Sequence, residues 1–258
     1  MATDHRWIEQ LLDRFDRLAL DAFRVVETET KRDGSAVTSV DRAASRLMEK
    51  ALRLRFPQDG ILSEEAAQPH LPDAERLWVL DPLDGTAGFA RGFPAWGLGL
   101  GLLEKGVPVE GYLSFPLLGE RCFFSGGTFL FNGRKFRPPP SAAIPDTRNV
   151  LIGSGTHGQA PLQRLGATKL RNYGSAIYHI AAVAMGRAEA VITPRCKIWD
   201  LVPALPFSRA RGCVELFLDG SPFVLQDLLK GDPPDYGLPQ PLVIGPPGEV
   251  ELLLKALA

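Results

Sequence analysis

The chain has 258 residues, with 29 basic and 30 acidic side chains and a formal net charge of -1. This balance excludes the broad basic surface that binds nucleic acid in bulk, and the 45% hydrophobic content excludes a wholly disordered chain. Its apolar runs fall short of the ~18 residues needed to cross a membrane, and its first residues lack a signal-peptide pattern. We therefore expect a sizeable core and neither a nucleic-acid nor a membrane partner.

Three cysteines, Cys122, Cys196 and Cys213, are too few and too scattered for a disulfide scaffold. There is no CxxC pair, and the four histidines are also scattered, so the sequence has no zinc signature. These features favour a protein of the reducing cytoplasm.

The first half of the chain predicts two helices followed by a run of strands. Apolar side chains recur at helical spacing over residues 4–27 and 40–52, and a polar turn at residues 30–35 separates the two patterns. Strands are predicted at residues 60–62, 77–80, 96–103, 109–115, 121–124, 128–131 and 134–136. The Asn132-Gly133 pair between the last two is a strong signal for a two-residue hairpin turn.

A proline-rich segment at residues 138–141 predicts a linker, so we expect a boundary between regions 1–140 and 141–258. In the second region, the pattern predicts strands at residues 150–152, 169–171, 188–192, 214–218 and 242–244, and helices at residues 175–185, 201–211 and 249–257. Because this alternation is less regular than in a doubly wound sheet, the expected fold class is α+β, with layered α and β sub-domains.

Three short acidic clusters are the strongest functional signal. Glu64 and Glu65 follow one predicted strand, Asp81 and Asp84 follow the next, and Asp200 opens a predicted helix. A carboxylate at the end of a buried strand is costly unless it is paired or binds a cation. Hard oxygen ligands of this kind favour Mg²⁺, Mn²⁺ or Ca²⁺ over zinc.

The segment from Asp81 to Thr86, Asp-Pro-Leu-Asp-Gly-Thr, is the most informative of the three. Its proline fixes the backbone between two carboxylates, which could then converge on one metal pair with the Leu83 carbonyl as a third oxygen. The glycine permits a tight turn into a helix, and the first N–H groups there, those of Gly85, Thr86 and Ala87, would form a phosphate site. An Asx turn with an ordinary helix cap is the alternative interpretation.

This segment, with Phe89 and Phe93-Pro94 after it, resembles the signature of the inositol monophosphatase family of Mg²⁺-dependent, lithium-sensitive phosphatases. The wider superfamily includes fructose-1,6-bisphosphatases and phosphatases of 3'-phosphoadenosine 5'-phosphate. Four other motifs stand in the family's order, at residues 37–41 (Val-Thr-Ser-Val-Asp), 61–65 (Ile-Leu-Ser-Glu-Glu), 174–176 (Gly-Ser-Ala) and 199–200 (Trp-Asp). The resemblance covers roughly residues 28–215 and identifies the chain as a divergent member.

The resemblance implies a site that binds two or three Mg²⁺ ions, with Mn²⁺ as an alternative. Its implied metal ligands are Glu64, Asp81, the Leu83 carbonyl, Asp84 and Asp200. Its implied catalytic residues are Glu64 and Thr86, which would orient the attacking water, and Asp41, which would hydrogen-bond Thr86. Its implied substrate contacts are Gly85, Thr86, Ala87, Gly174, Ser175, Arg195 and Lys197.

Several of these positions also have purely structural interpretations, which the sequence leaves open. Thr38 and Asp41 fit an ordinary capping pair at the second helix, and Asp200 could cap its own helix. Arg195 and Lys197 could bind a second phosphate, or they could be a solvated basic rim.

The resemblance further implies a layered α-β-α-β-α sandwich and a homodimer that acts on a small phosphorylated metabolite. The leading hypothesis is a Mg²⁺-dependent phosphomonoesterase for a phosphorylated polyol or sugar. Two departures from the family pattern bear on the substrate: Gly88 replaces an asparagine, and Thr193 replaces the glutamate that grips a substrate hydroxyl in the inositol-phosphate enzymes. The alternatives are a fructose-1,6-bisphosphatase, a 3'-phosphoadenosine 5'-phosphate phosphatase and a non-catalytic metal- or phosphate-binding relative.

Overall fold

The computed structural model describes residues 3–31, 34, 36–66, 69–70, 75–138, 148–158, 160–166, 168–194, 196–230 and 235–258. The α-helices in these ranges are α1 (His5–Ala22), α2 (Ser39–Arg55), α3 (Thr86–Arg91), α4 (Ala176–Ala184), α5 (Ile198–Leu201), α6 (Leu205–Ala210) and α7 (Pro247–Leu257). Short 3-10 turns occupy Pro116–Leu118, Thr156–Gly158, Leu162–Leu165 and Leu225–Leu229. No helix in the described ranges is long and apolar enough to cross a membrane.

The strands of the first half are β1 (Thr28–Thr30), β2 (Ala36–Thr38), β3 (Gly60–Ser63), β4 (Arg76–Asp84), β5 (Gly97–Glu104), β6 (Val107–Phe115), β7 (Glu120–Ser125), β8 (Thr128–Phe131) and β9 (Arg134–Lys135). Those of the second half are β10 (Asn149–Ile152), β11 (Lys169–Arg171), β12 (Ala190–Thr193), β13 (Val214–Phe217) and β14 (Leu242–Gly245). The predicted hairpin between β8 and β9 is confirmed, with positive φ at both Asn132 and Gly133.

Seven strands form one sheet in the order β3-β4-β5-β6-β7-β8-β9. Strand β3 runs parallel to β4, and each later neighbour pair is antiparallel. Helices α1 and α2 cover one face of this sheet. Their apolar stripes, which include Phe15 and Met48, are buried in one cluster with Trp78 and Tyr112 of the sheet.

Five strands form a second sheet in the order β11-β10-β12-β14-β13. Strand β10 pairs in parallel with β11 and β12, whereas β14 is antiparallel to β12 and β13. Helix α7 covers the outer face, where Val250 and Leu253 are buried in one cluster with Ile192 and Val243. Because β14 is antiparallel to its neighbours in a sheet whose other pairs are parallel, helices and strands alternate irregularly in the sequence.

Helices α4, α5 and α6 lie between the two sheets. Their side chains, among them Ile180 and Phe207, share one buried apolar cluster with Leu113 of the first sheet and Ile244 of the second. The resulting layers are α1 with α2, the seven-stranded sheet, α4 to α6, the five-stranded sheet, and α7. This confirms the α-β-α-β-α sandwich. The boundary at residue 140 stays a prediction, and most of its proline-rich linker lies outside the described residues.

A strip of glycines lets the middle helical layer approach the first sheet closely. Gly99 and Gly101 alternate along β5 and therefore share one face of the strand, where a Cβ on either would meet Pro203. A Cβ built on Gly101 would lie only 2.9 Å from the backbone nitrogen of Pro203, so a side chain there would displace the main chain between α5 and α6. The strip thus brings α5 against the end of β4, whose Asp81 pairs with Gly99 in the ladder.

One prediction of local structure is wrong, and one strand pair was not predicted. The single helix predicted at residues 201–211 is two short helices, because Pro203 and Pro206 lack the N–H groups that would continue one hydrogen-bond ladder. The polar turn predicted at residues 30–35 falls between β1 and β2, an antiparallel pair that the sequence did not predict. Each of these strands has three residues, and the residues of β1 are exposed, so the pair shows no apolar alternation.

Replacing Gly101 with alanine should lower the free energy of unfolding by about 1–3 kcal/mol, because the added methyl group overlaps the backbone of residues 202–203. Urea denaturation followed by circular dichroism measures the change. Gly248→Ala in α7 is the matched control, because a Cβ there meets no atom within 4 Å and alanine favours a helix. Equal stability of the two variants would contradict the close contact.

Candidate active site

A cavity of about 500 Å³ opens at the end of β4, between the β1–β2 hairpin, α3 and α5. Its wall contains all five predicted metal ligands, Glu64, Asp81, Leu83, Asp84 and Asp200. Four of the predicted substrate contacts, Gly85, Thr86, Ala87 and Gly174, also line it. The structure therefore brings residues from four separate motifs of the sequence into one cavity.

Asp81, Asp84 and Asp200 form the tightest group of acidic side chains in the cavity. Each offers a carboxylate oxygen, and these three oxygens lie within 4.8 Å of one another. Asp81 and Asp84 come from β4, whose register shifts between them around Pro82, and Asp200 is the third residue of α5. Because the shift occurs at a residue without an N–H, both carboxylates of one strand can turn toward the same point.

Backbone donors hold one oxygen of each of these carboxylates. Leu83 N–H donates to Asp81 Oδ1 at 3.0 Å, and Lys197 N–H donates to Asp200 Oδ2 at 2.7 Å. Asp84 Oδ2 accepts a hydrogen bond from Ile177 N–H at 2.8 Å at the start of α4. At Asp84 the second oxygen is held as well, because Oδ1 accepts from Ala176 N–H at 3.3 Å. The carboxylates are thus fixed in orientation, and their oxygens keep lone pairs that could bind a cation.

Burial and mutual repulsion make the charged forms of this group unfavourable. Burial, together with the charges of Glu64, Asp84 and Asp200, raises the pKa of Asp81 well above its ordinary value. Burial also raises the pKa of Asp84, and burial with the charge of Asp84 raises the pKa of Asp200 to about 8. A hard divalent cation would offset this repulsion and fits the all-oxygen donor set.

Glu64 lies in the same cavity wall but outside the group of three. It follows β3 and its N–H donates to Leu80 O at 3.1 Å. Its Oε1 accepts a hydrogen bond from Lys31 Nζ at 2.7 Å, and the same ammonium contacts Glu65. Burial raises the pKa of Glu64, and the Lys31 charge acts in the opposite direction. A cation bound by Glu64 would share this carboxylate with Lys31.

Thr86 and Asp41 are joined by a hydrogen bond of 2.8 Å, as the resemblance implied. The Thr86 hydroxyl is also 2.8 Å from Leu83 O, so its single proton has two alternative acceptors. Asp41 Oδ2 accepts from the Thr38 N–H at 2.8 Å and completes a capping box at α2. Asp41 therefore both hydrogen-bonds Thr86 and caps α2, because each of its two oxygens has a different partner.

The turn at Gly85 aims the start of α3 at the cavity. Gly85 has φ +84°, and a Cβ there would lie 3.1 Å from Ala95 O and 3.2 Å from Gly174 O. The N–H groups of Thr86 and Ala87 have no intrahelical acceptor because α3 begins at Thr86. The third predicted donor, Gly85 N–H, belongs to the N-cap residue of this helix.

Two other predicted substrate contacts, Ser175 and Lys197, do not line the cavity. Ser175 is fully buried, and its hydroxyl donates to Asp84, so it supports that carboxylate. Lys197 donates from Nζ to the carbonyl and the carboxylate of Asp235, both at 2.8 Å. Arg195 lies outside the described residues.

His179 is a buried residue near the site that the sequence did not single out. Its Nε2 accepts a hydrogen bond of 2.8 Å from Tyr173 N–H, directly before Gly174. Burial lowers the pKa of His179 to about 4, so the imidazole stays neutral and can act as an acceptor. A histidine on an apolar helix face carries no sequence signal for this role.

The metal-free protein should lose stability as the pH rises. The pKa of Asp200 is raised from about 4 in the unfolded chain to about 8 in the folded protein. Between these values the unfolded chain has lost this proton while the folded protein still binds it, so rising pH favours unfolding. The melting temperature in chelator should therefore fall between about pH 5 and pH 8, and added Mg²⁺ should raise it most at the upper end. Differential scanning fluorimetry measures both effects.

Asp200→Asn should flatten this pH dependence and weaken the response to Mg²⁺, because its side chain does not ionise. Asp21→Asn on the exposed face of α1 is the matched control and should behave as the unaltered chain does. A melting temperature that rises with pH in chelator would contradict the assignment.

Comparison with known proteins agrees with this geometry. The model of the inositol monophosphatase family matches residues 6–231. A histidinol-phosphatase of Chlorobaculum parvum is 30% identical over 223 residues, with 83% of this chain and 85% of the relative covered. A probable inositol 1-monophosphatase, ImpA, of Mycobacterium tuberculosis is 32% identical over 228 residues and covers 83% of each chain.

Solved structures share the fold over nearly the whole chain. The IMPase TM1415 of Thermotoga maritima superposes with a TM-score of 0.81 and 25% identity, covering 96% of this chain and 94% of its own. An IMPase/NADP phosphatase complexed with Mg²⁺ and phosphate has a TM-score of 0.81 and 23% identity, and the match covers 98% of this chain and 94% of that protein. The chain therefore belongs to the inositol monophosphatase family, and it is a phosphoric monoester hydrolase.

Proposed function

We propose that this chain hydrolyses a phosphate monoester of a small polyol or sugar with the help of bound Mg²⁺. The observation that carries the proposal is the convergence of Asp81, Asp84 and Asp200 within 4.8 Å, beside the Thr86–Asp41 pair. Glu64 and the Leu83 carbonyl complete the proposed ligand set for two or three ions, for which Mn²⁺ could substitute. When bound, such ions make a water nucleophile available near neutral pH and neutralise charge on the leaving oxygen.

In the proposed mechanism, the N–H groups of Thr86 and Ala87 bind the phosphoryl group of the substrate and orient it for in-line attack. The Thr86 hydroxyl accepts a hydrogen bond from the attacking water while it donates its own proton to Asp41. Burial raises the pKa of Asp41, which makes this carboxylate a better acceptor for that proton. Glu64 lies in the cavity wall, where it would hold the water from the other side.

The substrate is proposed from this chain's own cavity. Thr193, which replaces the family's glutamate, is buried and its hydroxyl contacts Cys196, so it offers no carboxylate to a substrate hydroxyl. We therefore expect myo-inositol 1-phosphate to be a poorer substrate than other phosphorylated polyols and sugars. Histidinol phosphate is a second candidate, because a relative at 30% identity is named a histidinol-phosphatase.

Phosphate release from a panel of substrates separates these candidates. The panel contains inositol 1-phosphate, fructose 1,6-bisphosphate, 3'-phosphoadenosine 5'-phosphate and histidinol phosphate, each with Mg²⁺ and with chelator. We expect Mg²⁺-dependent release from at least one sugar or polyol phosphate. Release that is equal in chelator would contradict the proposed mechanism, and no release from any member would exclude these four substrates.

Thr86→Val should lower kcat by about 10²–10³-fold, because it removes the hydroxyl between water and Asp41 but preserves the side-chain shape. Steady-state kinetics with the best substrate of the panel measures the effect. Binding of Mg²⁺, measured by calorimetry, should change little, since Thr86 is not among the proposed ligands. Unchanged kcat in Thr86→Val would exclude the proposed proton path.

We further propose a homodimer of the reducing cytoplasm that is inhibited by Li⁺. The free cysteines Cys122, Cys196 and Cys213 are all buried, which suits a reducing compartment. A staphylococcal inositol monophosphatase was captured in an inhibitory complex with LiCl, and it has this fold at a TM-score of 0.79 and 23% identity. Light scattering measures the oligomeric state, and activity assays with LiCl measure the inhibition.

A further inference from the structure

Arg91 places a positive charge in the wall of an otherwise acidic cavity. It is the exposed last residue of α3 and lines the same cavity as Asp81, Asp84 and Asp200. Within the described ranges it is the one basic residue of that wall. Its guanidinium makes no hydrogen bond or ion pair with any other residue of those ranges. A guanidinium is charged at every physiological pH, so this group needs water or an anion as its partner.

The position of Arg91 on α3 sets its distance from the reacting phosphate. Arg91 follows Ala87 by four residues, so both side chains lie on the same face of the helix. Four residues advance a helix by about 6 Å. The backbone of Arg91 therefore stands about one helical turn along α3 from the N–H groups that we propose for the scissile phosphate.

The β1–β2 hairpin supplies neutral polar groups to the same cavity. Thr28 and Thr30 alternate along β1, and both line the cavity. Glu29 stands between them, and its carboxylate accepts hydrogen bonds of 2.9 and 2.6 Å from Arg42. The hairpin thus adds two hydroxyl-bearing residues to the cavity that Arg91 lines, while the negative charge of Glu29 is paired with Arg42.

We propose that Arg91, with the hydroxyls of Thr28 and Thr30, forms a subsite for a second anionic group on the substrate. The inference rests on the proposed function for the position of the first phosphate. It makes the preferred substrate a small metabolite with two separated anionic groups, and it disfavours a phosphate ester with an ammonium at its far end. A planar guanidinium with a free fork binds a phosphate in bidentate fashion, which a neutral wall cannot do.

Calorimetry with two phosphonates tests the subsite without turnover. Butane-1,4-diphosphonate and butylphosphonate share one chain and differ in the second anionic group, and neither is hydrolysed. The Mg²⁺-loaded protein should bind the diphosphonate at least about tenfold more tightly. Arg91→Ala should abolish this preference and leave the affinity for butylphosphonate unchanged, whereas Arg91→Lys should keep part of it. Arg134→Ala, an exposed arginine on β9 outside the cavity, is the matched control.

Kinetics complete the test and separate it from the proposed function. The KM for fructose 1,6-bisphosphate should rise about tenfold in Arg91→Ala, while that for fructose 1-phosphate stays constant. An equal preference for the diphosphonate in Arg91→Ala and the unaltered chain would overturn the subsite, and so would an equal loss of affinity for both phosphonates. Failure of the proposed function appears differently, as no Mg²⁺-dependent phosphate release from any ester, whatever residue stands at position 91.

Discussion

Three carboxylates that must share one small volume are the constraint around which the structure is arranged. Asp81, Asp84 and Asp200 present oxygens within 4.8 Å of one another, and burial with mutual repulsion raises the pKa of each. Such a group exists only with protons or cations between its members. Backbone N–H groups donate to all three carboxylates, so the fold itself sets their orientation.

The same contacts join the two sheets of the molecule. Asp84 belongs to the first sheet, yet it accepts hydrogen bonds from the start of α4 in the middle layer. Asp200 reaches the group because the glycine strip of β5 lets the chain after α5 lie on the backbone of the sheet. A side chain at Gly101 would separate the layers and move Asp200 away from Asp81. Packing and chemistry are thus determined by the same few residues.

The cavity wall combines acidic, basic and neutral polar groups. The carboxylates and the start of α3 are the ligands and donors that we propose for ions and a phosphoryl group. Arg91 and the two threonines of β1 add one basic and two neutral side chains to the same wall. A net charge of -1 for the whole chain conceals this combination. The field that a substrate meets is therefore set by the arrangement of charges in the cavity and by any bound ions.

The sequence by itself determined the family, the layered fold class and the acidic motifs, because short motifs and hydrophobic periodicity are local properties of a chain. Asp81, Asp84 and Thr86 stand within six residues, so their common turn could be predicted from one segment. Only the tertiary structure decided which charges share the cavity. Arg91 enters it and Lys197 pairs with Asp235, although Lys197 stands three residues from Asp200 in the sequence. Helix phase and the approach of distant layers decide such contacts, and neither is encoded by spacing along the chain.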